Sequence, residues 1–466
     1  MRILVVGNGG RECAIANTLL VSPKVTRLYI TPENFGVVDP FDGGRVFLRD
    51  IPANDVDALL RFARSEEIHL TVVGPEAPLA LGIVDSFRAE GMRIVGPEKR
   101  AAMLEASKSF AKSFMDRFGI PTAKWQAFED YQLALESLKD MSFPLVVKAD
   151  GLAAGKGVIV CNSYQQASDA LTQMMVKQIF GPAGEKVVIE EFLSGKEISF
   201  FCFFDGKDVL ETPPVTDYKR LLDGDNGPNT GGMGCICPSP FATSEVISEW
   251  REKILKPFIN GCEEMGFDYR GVIYFGTIIT ESGLKVLEFN VRLGDPEAQA
   301  ILPLLCTDLV DVLVAMESGK IVRAKAKFSD EATVTVVLAS KNYPYASSPP
   351  AKIEGLERVA EFLSEEDEFT NGSIFRRLPK VNLFFAGVSK GRTFVPDAVE
   401  EGDISDVSRI LRRGEEREEY FATGGRVLGV TARGKDLSDA RRLAYEVVGN
   451  IHFEGMQFRT DIGKLR

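Results

Sequence analysis

Residues 285–297 read Lys-Val-Leu-Glu-Phe-Asn-Val-Arg-Leu-Gly-Asp-Pro-Glu, the strongest chemical signal in the chain. Side chains alternate along a strand, so Glu288, Asn290 and Arg292 share one face, and Leu287 and Phe289 share the other. Carboxylate and amide oxygens two residues apart suit a hard cation such as Mg²⁺, and the arginine can grip a phosphate or carboxylate with paired hydrogen bonds. The stretch predicts a strand that carries a cation and anion site. An ordinary solvent-facing strand is the alternative.

A second signal lies upstream, where an apolar run ends in Lys148 and a loop with Gly151, Gly155 and Gly157 follows. Lysine at a strand end supplies a point charge for phosphate, and the glycines allow loop amides to close over it. The loop is not a Walker A motif, because Lys156 is followed by glycine and not by serine or threonine. The pattern predicts a phosphate-binding flap, with a loose hairpin loop as the alternative.

Acidic residues mark the next pair of predicted strands, where Glu190, Glu191 and Glu197 lie at their junction. One carboxylate there could accept a hydrogen bond from an adenine amino group, and another could accept from ribose hydroxyls. Acidic residues on surface strands are common, so this signal is weak by itself.

Residues 1–104 alternate short apolar runs with amphipathic stretches, a rhythm typical of a doubly wound parallel sheet. The first strand turns into the first helix through Gly-Asn-Gly-Gly-Arg-Glu at residues 7–12, where amides can approach an anion at the helix N-terminus. Glu12 occupies the third glycine position of the dinucleotide fingerprint. The turn therefore predicts an anion site or a plain tight turn, and it disfavours a nicotinamide dinucleotide site.

The element order predicts a fold of the α/β and α+β class in three domains. These are an N-terminal doubly wound parallel-sheet domain (1–104), a central α+β domain (105–328) and a C-terminal mixed α/β domain (329–466). A single helix is expected over residues 99–118, ended by Gly119-Ile-Pro121. The charged stretches Glu365 to Glu368 and Arg412 to Glu419 are expected to be solvated loops or a surface helix.

Composition excludes several functions. The 466 residues include 55 Lys and Arg against 67 Asp and Glu, which gives a net charge of -12. This charge argues against a protein that wraps nucleic acid or binds an anionic membrane surface. The N-terminal residues lack the pattern of a signal peptide, and no apolar stretch approaches the roughly 20 residues of a membrane span, so a cytoplasmic location is expected. His69 and His452 are the two histidines, both in apolar surroundings, so histidine bases and serine triads are disfavoured.

Seven motifs follow one another along the chain. They are Gly-Asn-Gly-Gly-Arg-Glu (7–12), Val-Val-Gly-Pro-Glu-Ala-Pro-Leu (72–79), Glu-Ala-Ser-Lys (105–108), Val-Lys-Ala-Asp-Gly-Leu-Ala-Ala-Gly-Lys-Gly (147–157), Glu-Glu-Phe-Leu-Ser-Gly (190–195), Pro-Asn-Thr-Gly-Gly-Met-Gly (228–234) and Leu-Glu-Phe-Asn-Val-Arg-Leu-Gly-Asp-Pro-Glu (287–297). In this order they resemble the phosphoribosylamine-glycine ligase family of ATP-grasp enzymes. Matches at 424–431 and 453–463 extend the resemblance over essentially the whole chain.

The resemblance implies a central ATP-grasp domain and an ATP-dependent ligase of purine synthesis. The implied reaction joins glycine to 5-phospho-β-D-ribosylamine through glycyl phosphate and releases ADP and phosphate. ATP is then the cosubstrate and Mg²⁺ or Mn²⁺ the cofactor. The implied partners are these small molecules, without nucleic acid or membrane, and the protein is expected to be a monomer or homodimer.

The resemblance also assigns residues. The implied ATP-binding residues are Lys108, Lys148, Gly151, Gly155, Gly157, Glu190, Leu193 and Glu197. The implied substrate-binding residues are Gly9, Gly10, Glu12, Asp217, Lys219, Arg292, Gly294 and Asp295. The implied catalytic residues are Arg292, Lys148 and Asp295, and the implied metal ligands are Glu288 and Asn290.

Two positions depart from the family pattern: Cys13 and Tyr218 stand where the family usually has histidine. Both follow motif residues of the implied acceptor site, so Tyr218→His is expected to change phosphoribosylamine kinetics more than ATP kinetics. Three other functions stay open from the sequence. They are a different ATP-grasp carboxylate-amine ligase, an NAD-dependent oxidoreductase, and a nucleotide-binding sensor without catalysis.

Overall fold

The computed structural model describes residues 1–40, 43–153, 156–363, 377–396 and 414–464. The first region contains β1 (Arg2–Val6), α1 (Gly10–Leu20), β2 (Arg27–Thr31), β3 (Val46–Leu48), α2 (Val56–Ser65), β4 (Leu70–Val73), α3 (Glu76–Leu81), α4 (Ile83–Ala89) and β5 (Ile94–Pro97). Its strands pair in parallel in the order β3-β2-β1-β4-β5. Along β1, Ile3 and Val5 enter one hydrophobic core and Leu4 and Val6 enter another. Both faces of the sheet are therefore covered, which confirms the predicted doubly wound parallel sheet.

The helix expected over residues 99–118 is two helices, α5 (Lys99–Ala106) and α6 (Lys108–Phe118). The prediction of one helix was wrong because Ser107 is extended and its hydroxyl caps α6 by accepting from the Phe110 N–H. The same hydroxyl donates to Asp150 Oδ2 at 2.8 Å. The break anchors the start of α6, and with it Lys108, beside the end of the strand that carries Lys148.

The central region forms two large sheets and a two-stranded sheet, and it adds two strands to a C-terminal sheet. Its elements are β6 (Trp125–Phe128), α7 (Tyr131–Ser137), β7 (Leu145–Ala149), β8 (Val158–Cys161), α8 (Tyr164–Leu171), β9 (Val187–Glu191), β10 (Lys196–Phe204), β11 (Val209–Glu211), β12 (Thr216–Asp217), β13 (Arg220–Leu222), β14 (Asn226–Asn229), β15 (Gly234–Cys237), α9 (Ser244–Trp250), α10 (Lys256–Met265), β16 (Tyr269–Thr280), β17 (Gly283–Asn290), α11 (Glu297–Ile301) and α12 (Leu309–Glu317). One sheet is antiparallel in the order β6-β9-β7-β8. In the other, β16 pairs with β10 and β17 and also with β5, so the N-terminal sheet continues into a nine-stranded sheet.

The C-terminal region contains β18 (Ala332–Ala339), β19 (Ala351–Lys352), α13 (Leu356–Leu363), β20 (Val381–Phe385), β21 (Val388–Pro396), β22 (Gly414–Ala422), β23 (Arg426–Gly434) and α14 (Leu437–Val448). A five-stranded antiparallel sheet has the order β12-β15-β18-β23-β20. Two of its strands come from residues 216–237, on the central side of the boundary predicted at 328. The charged residues 365–368 lie outside the described residues. The prediction of loop or surface helix was wrong for residues 414–419, which belong to β22 and pair with β21; cross-strand ion pairs such as Lys390 with Glu418, 2.6 Å apart, accommodate the charges in a sheet. Within the described ranges no helix has the length and apolarity of a membrane span.

The C-terminal end holds the polar loop that follows β12. The Arg459 guanidinium lies 5.0 Å from the centroid of the Tyr218 ring, and the Tyr218 hydroxyl accepts a hydrogen bond from the Gly463 N–H at 3.1 Å. Arg459 Nε donates to Asp461 Oδ1 at 2.7 Å, and the Gly224 N–H donates to Asp461 Oδ2 at 2.9 Å. These contacts bind the loop to residues 459–463, which follow the last helix.

Asp461→Asn is expected to lower stability near neutral pH. Although burial raises the pKa of Asp461, hydrogen bonds from Arg459 and Gly224 lower it further, from 3.8 to about 2. A depressed carboxyl pKa stabilises the folded state above the unfolded pKa, and this contribution is lost as the pH falls from about 4 towards 2. We expect a loss of about 1 kcal/mol at pH 7 after allowance for solvent screening. Urea unfolding of both proteins checks this, and a difference that does not shrink between pH 5 and pH 3 would contradict it.

Candidate active site

A cavity of about 550 Å³ lies where the central sheets meet the N-terminal helices and the C-terminal sheet. Residues from all three regions line it, including Glu76, Lys148 and Arg426. Twelve of the predicted site residues line the cavity: Lys108, Lys148, Gly157, Glu190, Leu193, Glu197, Asp217, Lys219, Glu288, Asn290, Arg292 and Asp295. The fold therefore brings together motifs that are far apart in the sequence.

Other predicted residues lie behind the cavity wall or outside the described structure. Gly155 is not among the described residues. Among those that are described, Gly9, Gly10, Glu12, Gly151 and Gly294 do not line the cavity. A Cβ at Gly10 would lie 2.5 Å from Gln299 Nε2, and one at Gly294 would lie 2.2 Å from Glu297 Oε2. These two glycines permit close packing around the site.

Two amides of the first turn donate to carboxylates of the chain itself. The Gly9 N–H donates to Glu12 Oε2 at 2.7 Å, and the Arg11 N–H donates to Asp295 Oδ2 at 3.3 Å. Arg11 Nε also donates to Glu12 Oε1 at 2.6 Å, which holds this buried carboxylate within the wall. The chain's own carboxylates therefore take the place that the sequence predicted for a substrate anion, because they satisfy the N-terminus of α1.

A lysine cluster forms one end of the cavity. Lys148 Nζ lies 2.9 Å from Glu190 Oε1, and Lys112 Nζ lies 3.1 Å from Glu190 Oε2. Glu190, predicted to contact adenine, is thus shared between two buried lysines. Burial lowers the pKa of Lys112 to about 8, opposed by Glu190, and burial also lowers the pKa of Lys108, opposed by Glu288. Three ammonium groups at this end suit a polyanion such as a triphosphate.

The predicted cation ligands lie beside these lysines. Burial raises the pKa of Glu288, but Lys219, Lys148 and Lys108 lower it below its usual value, so the carboxylate is ionised. Asn290 Nδ2 donates to Glu288 Oε1 at 3.4 Å. The Asn290 amide oxygen accepts from Arg292 and keeps a second lone pair, so it and the Glu288 carboxylate can serve a hard cation that takes its remaining ligands from phosphate and water. No group of three or more His, Cys, Asp and Glu suited to a metal occurs in the described part of the chain.

A β-bulge sets the face that Glu288 presents. Gly276 pairs with Glu288 and Thr277 with Val286, which leaves Leu287 as the extra residue of β17. Val286 and Phe289 can therefore both enter the hydrophobic core although they are three residues apart. The predicted alternation holds from Glu288 to Arg292. It was wrong for Leu287, which lines the cavity and does not enter the core, whereas Phe289 enters the core and also borders the cavity.

Arg292 is enclosed by acidic residues. Its Nη2 lies 2.7 Å from Glu105 Oε1, and its Nε lies 3.4 Å from Glu76 Oε2. Burial would lower the pKa of Arg292, but Glu105 and Glu76 raise it, so the guanidinium stays charged. Burial raises the pKa of Glu105 to about 7, although Arg292 opposes the shift. Both Glu105 oxygens face donors, the pattern of an ionised carboxylate.

A second set of acidic residues surrounds Lys219 in the same cavity. Lys219 Nζ lies 3.0 Å from Glu197 Oε2, the residue predicted to bind ribose. Burial would lower the pKa of Lys219, but Glu197 and other acidic neighbours raise it well above its usual value. Burial raises the pKa of Asp217 and of Glu297, and Glu297 raises that of Asp217 further. The surroundings of Lys219 therefore combine a charged ammonium group with two carboxyl groups, Asp217 and Glu297, whose pKa values are raised.

Sequence reasoning missed several residues of the cavity wall: Glu76, Glu105, Lys112, Tyr274, Glu297 and Arg426. Four of these lie inside recognised motifs but received no role. Lys112 could have been found from its spacing, because it lies four residues after Lys108 on the same helix. Arg426 comes from the C-terminal sheet, where its Nη1 lies 3.4 Å from Asp295 Oδ1.

The two departures from the family pattern lie outside the cavity. Cys13 is completely buried in the core beside Asn17, and Tyr218 packs against Arg459. Side chains alternate along the chain at Asp217, so the next residue points away from the cavity. The expectation that Tyr218→His changes phosphoribosylamine kinetics is therefore not supported by this placement.

We instead expect Tyr218→Phe to lower stability by about 1 kcal/mol, because the Gly463 N–H would lose its acceptor. The Michaelis constants for ATP and the acceptor should stay within about twofold of wild type, since the ring keeps its contact with Arg459. Urea unfolding and steady-state kinetics check the two parts. A selective change in acceptor kinetics would restore the first expectation.

Sequence profiles match almost the whole chain. The N domain, ATP-grasp (A) domain and C domain of phosphoribosylglycinamide synthetase match residues 1–105, 106–298 and 333–465. The chain belongs to the phosphoribosylglycinamide synthetase family. Membership confirms the predicted three-domain architecture with a central ATP-grasp domain.

Relatives in the phosphoribosylglycinamide synthetase family agree over the full length. The phosphoribosylamine-glycine ligase of Caldanaerobacter subterraneus subsp. tengcongensis is 41% identical over 462 residues, 99% of either chain. The trifunctional purine biosynthetic protein adenosine-3 of Gallus gallus is 42% identical over 464 residues, which cover 99% of this chain and 42% of that one.

Two solved structures share the fold of this chain. The crystal structure of phosphoribosylamine-glycine ligase from Thermotoga maritima has a TM-score of 0.76 and 30% identity, covering 99% of this chain and 100% of that chain. The biotin carboxylase domain of the Hydrogenobacter thermophilus 2-oxoglutarate carboxylase, solved with magnesium ADP, has a TM-score of 0.67 and 15% identity, covering 98% and 91%. The second likeness concerns the fold alone.

Proposed function

We propose that this protein joins glycine to 5-phospho-β-D-ribosylamine, with ATP cleaved to ADP and phosphate, to give glycinamide ribonucleotide in purine synthesis. One observation carries the proposal. A single cavity combines four lysines, an ionised carboxylate beside an amide, and an arginine enclosed by carboxylates. Relatives named phosphoribosylamine-glycine ligase, about as long as this chain and 41% identical, support the choice of substrates.

The first step transfers the γ-phosphoryl group. A carboxylate oxygen of glycine attacks the γ-phosphorus, the bond from that phosphorus to the β,γ-bridging oxygen breaks, and ADP leaves. Lys108 and Lys148 neutralise charge on the phosphate oxygens, as phosphoryl transfer requires. Glu288 and Asn290 would hold Mg²⁺, which neutralises phosphate charge and keeps the reacting groups aligned when bound.

The second step forms the amide. The phosphoribosylamine nitrogen attacks the acyl carbon of glycyl phosphate, the acyl carbon–oxygen bond breaks, phosphate leaves, and the nitrogen releases one proton. Arg292 and Lys219 supply positive charge for the phosphate groups of glycyl phosphate and phosphoribosylamine. The loop at 151–157 has the role of excluding water, because glycyl phosphate would otherwise hydrolyse. No side chain bonds covalently to the substrate in either step.

A coupled ADP-release assay with glycine and freshly made phosphoribosylamine tests the proposal, with the product identified by mass. We expect ADP and glycinamide ribonucleotide in equal amounts. Ligation of another amino acid in a panel would favour a different ATP-grasp ligase, and ATP binding without product would favour a sensor. Binding of a nicotinamide cofactor is not expected, because Glu12 and Asp295 occupy the turn that such a cofactor would use.

Three further points stay predictions. The preferred cation is Mg²⁺ or Mn²⁺, the location is the cytoplasm, and the protein is a monomer or homodimer. The boundaries predicted at 104 and 328 also stay predictions.

A further inference from the structure

The Glu105 carboxylate bridges two successive residues of the segment that follows β17. Its Oε2 accepts a hydrogen bond from the Val291 N–H at 2.7 Å, and its Oε1 lies 2.7 Å from Arg292 Nη2. Glu105 belongs to α5, the helix before the break at Ser107. One carboxylate therefore fixes both the backbone and the guanidinium of this segment from the helix that packs against β17.

The guanidinium passes this constraint to the predicted cation site. Arg292 Nη2 also donates to Asn290 Oδ1 at 3.1 Å, and its Nη1 donates to the Leu293 carbonyl at 3.2 Å. Because Arg292 can only donate, the atom of the Asn290 amide that faces it is the oxygen. The amide nitrogen then faces Glu288 Oε1. The contacts form a chain from Glu105 through Arg292 to the pair Glu288 and Asn290.

Other carboxylates compete for the same guanidinium. Glu76 Oε2 lies 3.4 Å from Arg292 Nε, and Glu297 also faces Arg292 from the cavity wall. The contact of Glu105 with Arg292 is shorter than that of Glu76, so Glu105 sets the position of the planar guanidinium group among its three acidic neighbours. Residues that orient a ligating group are the usual means by which a site keeps its geometry.

We propose that Glu105 is a positioning residue for the ligation: it fixes the Arg292 guanidinium and, through that guanidinium, the side-chain amide of Asn290. The inference rests on the proposed function and assigns a role to the Glu-Ala-Ser-Lys motif beyond its lysine. Glu105 does not need to touch a substrate for this role.

A double-mutant cycle tests the inference. Glu105→Gln keeps an acceptor for the Val291 N–H but loses the charge, and we expect kcat to fall about 10- to 100-fold, the range for such outer contacts. The Michaelis constant for magnesium ATP should rise as well, whereas ADP binding without magnesium should stay within about twofold of wild type, because the lysine cluster is untouched. In an Arg292→Lys background the planar guanidinium is absent, so Glu105→Gln should cause little further loss of kcat. Glu105→Asp restores the charge and should recover part of the activity, which also guards against a folding defect.

Glu211→Gln is the matched control, since Glu211 pairs with Arg251 on the exposed surface; it should leave kcat unchanged. The same cycle is measured as magnesium-dependent ADP binding by calorimetry, where both single variants should weaken binding and the double variant should add nothing. Additive losses, or Glu105→Gln with normal kcat, would overturn the inference. If wild type shows no glycine-dependent ADP release, the proposed function fails, and the binding cycle still decides the role of Glu105.

Discussion

Glu288→Gln is expected to lower glycine-dependent ATP cleavage at least about a hundredfold, or roughly 2.7 kcal/mol of transition-state stabilisation. The substitution keeps the shape of the side chain and removes the negative charge. In the folded protein that charge is held by Lys219, Lys148 and Lys108, which lower the Glu288 pKa against the effect of burial. Without it, the cation loses a ligand and three lysines lose their shared counter-charge. Release of ADP at saturating Mg²⁺ and ATP measures the effect.

Glu281→Gln is the control for this variant. Glu281 is exposed in the turn between β16 and β17, so it tests loss of a carboxylate from the same hairpin without touching the cavity. The control should retain wild-type turnover. Near-normal turnover of Glu288→Gln at saturating Mg²⁺ would remove Glu288 from the cation site.

The second large effect is expected for Lys148→Met, which keeps the length of the side chain and removes its ammonium group. Loss of one preorganised charge that faces the transferring group costs about 10²- to 10³-fold in kcat. The Glu190 carboxylate would still pair with Lys112, whose Nζ lies 3.1 Å away, so the substitution does not leave Glu190 as an unpaired buried charge. Single-turnover measurement of ADP formation separates this effect from product release.

Lys186→Met is the matched control for the lysine variant. Lys186 pairs with the exposed Glu129 at 3.3 Å and does not line the cavity. It should therefore show wild-type kinetics. Equal losses in both variants would point to a general effect of charge, and retained ADP formation in Lys148→Met would exclude a role in phosphoryl transfer.

The local pattern of the sequence predicted the face that carries the chemistry. Alternation correctly placed Glu288, Asn290 and Arg292 together, because each step of an extended chain turns the side chain to the opposite face. It failed at Leu287, since an extra residue in one strand depends on the partner strand. Pairing between β16 and β17 is not encoded in the alternation of either strand.

Contacts between distant segments were beyond the sequence pattern. The Ser107 break depends on Asp150 as well as on the local cap, so helix periodicity over residues 99–118 did not reveal it. Glu105 and Glu76 approach Arg292 only after the N-terminal helices pack against β17. The first turn was predicted as an anion site from its glycines, and Asp295, far along the chain, supplies that anion. Family resemblance placed Asp295 near the site but did not give its partners.

The central claim is that glycine is activated as glycyl phosphate by charge neutralisation alone, without a bond to the protein. Transfer of ¹⁸O tests it most directly, with glycine labelled in both carboxylate oxygens, ATP, phosphoribosylamine and the enzyme. The account predicts that each phosphate released carries one ¹⁸O atom and that the amide carbonyl of the product keeps the other. Unlabelled phosphate, or a phosphoryl or glycyl group found covalently attached to the protein, would contradict it.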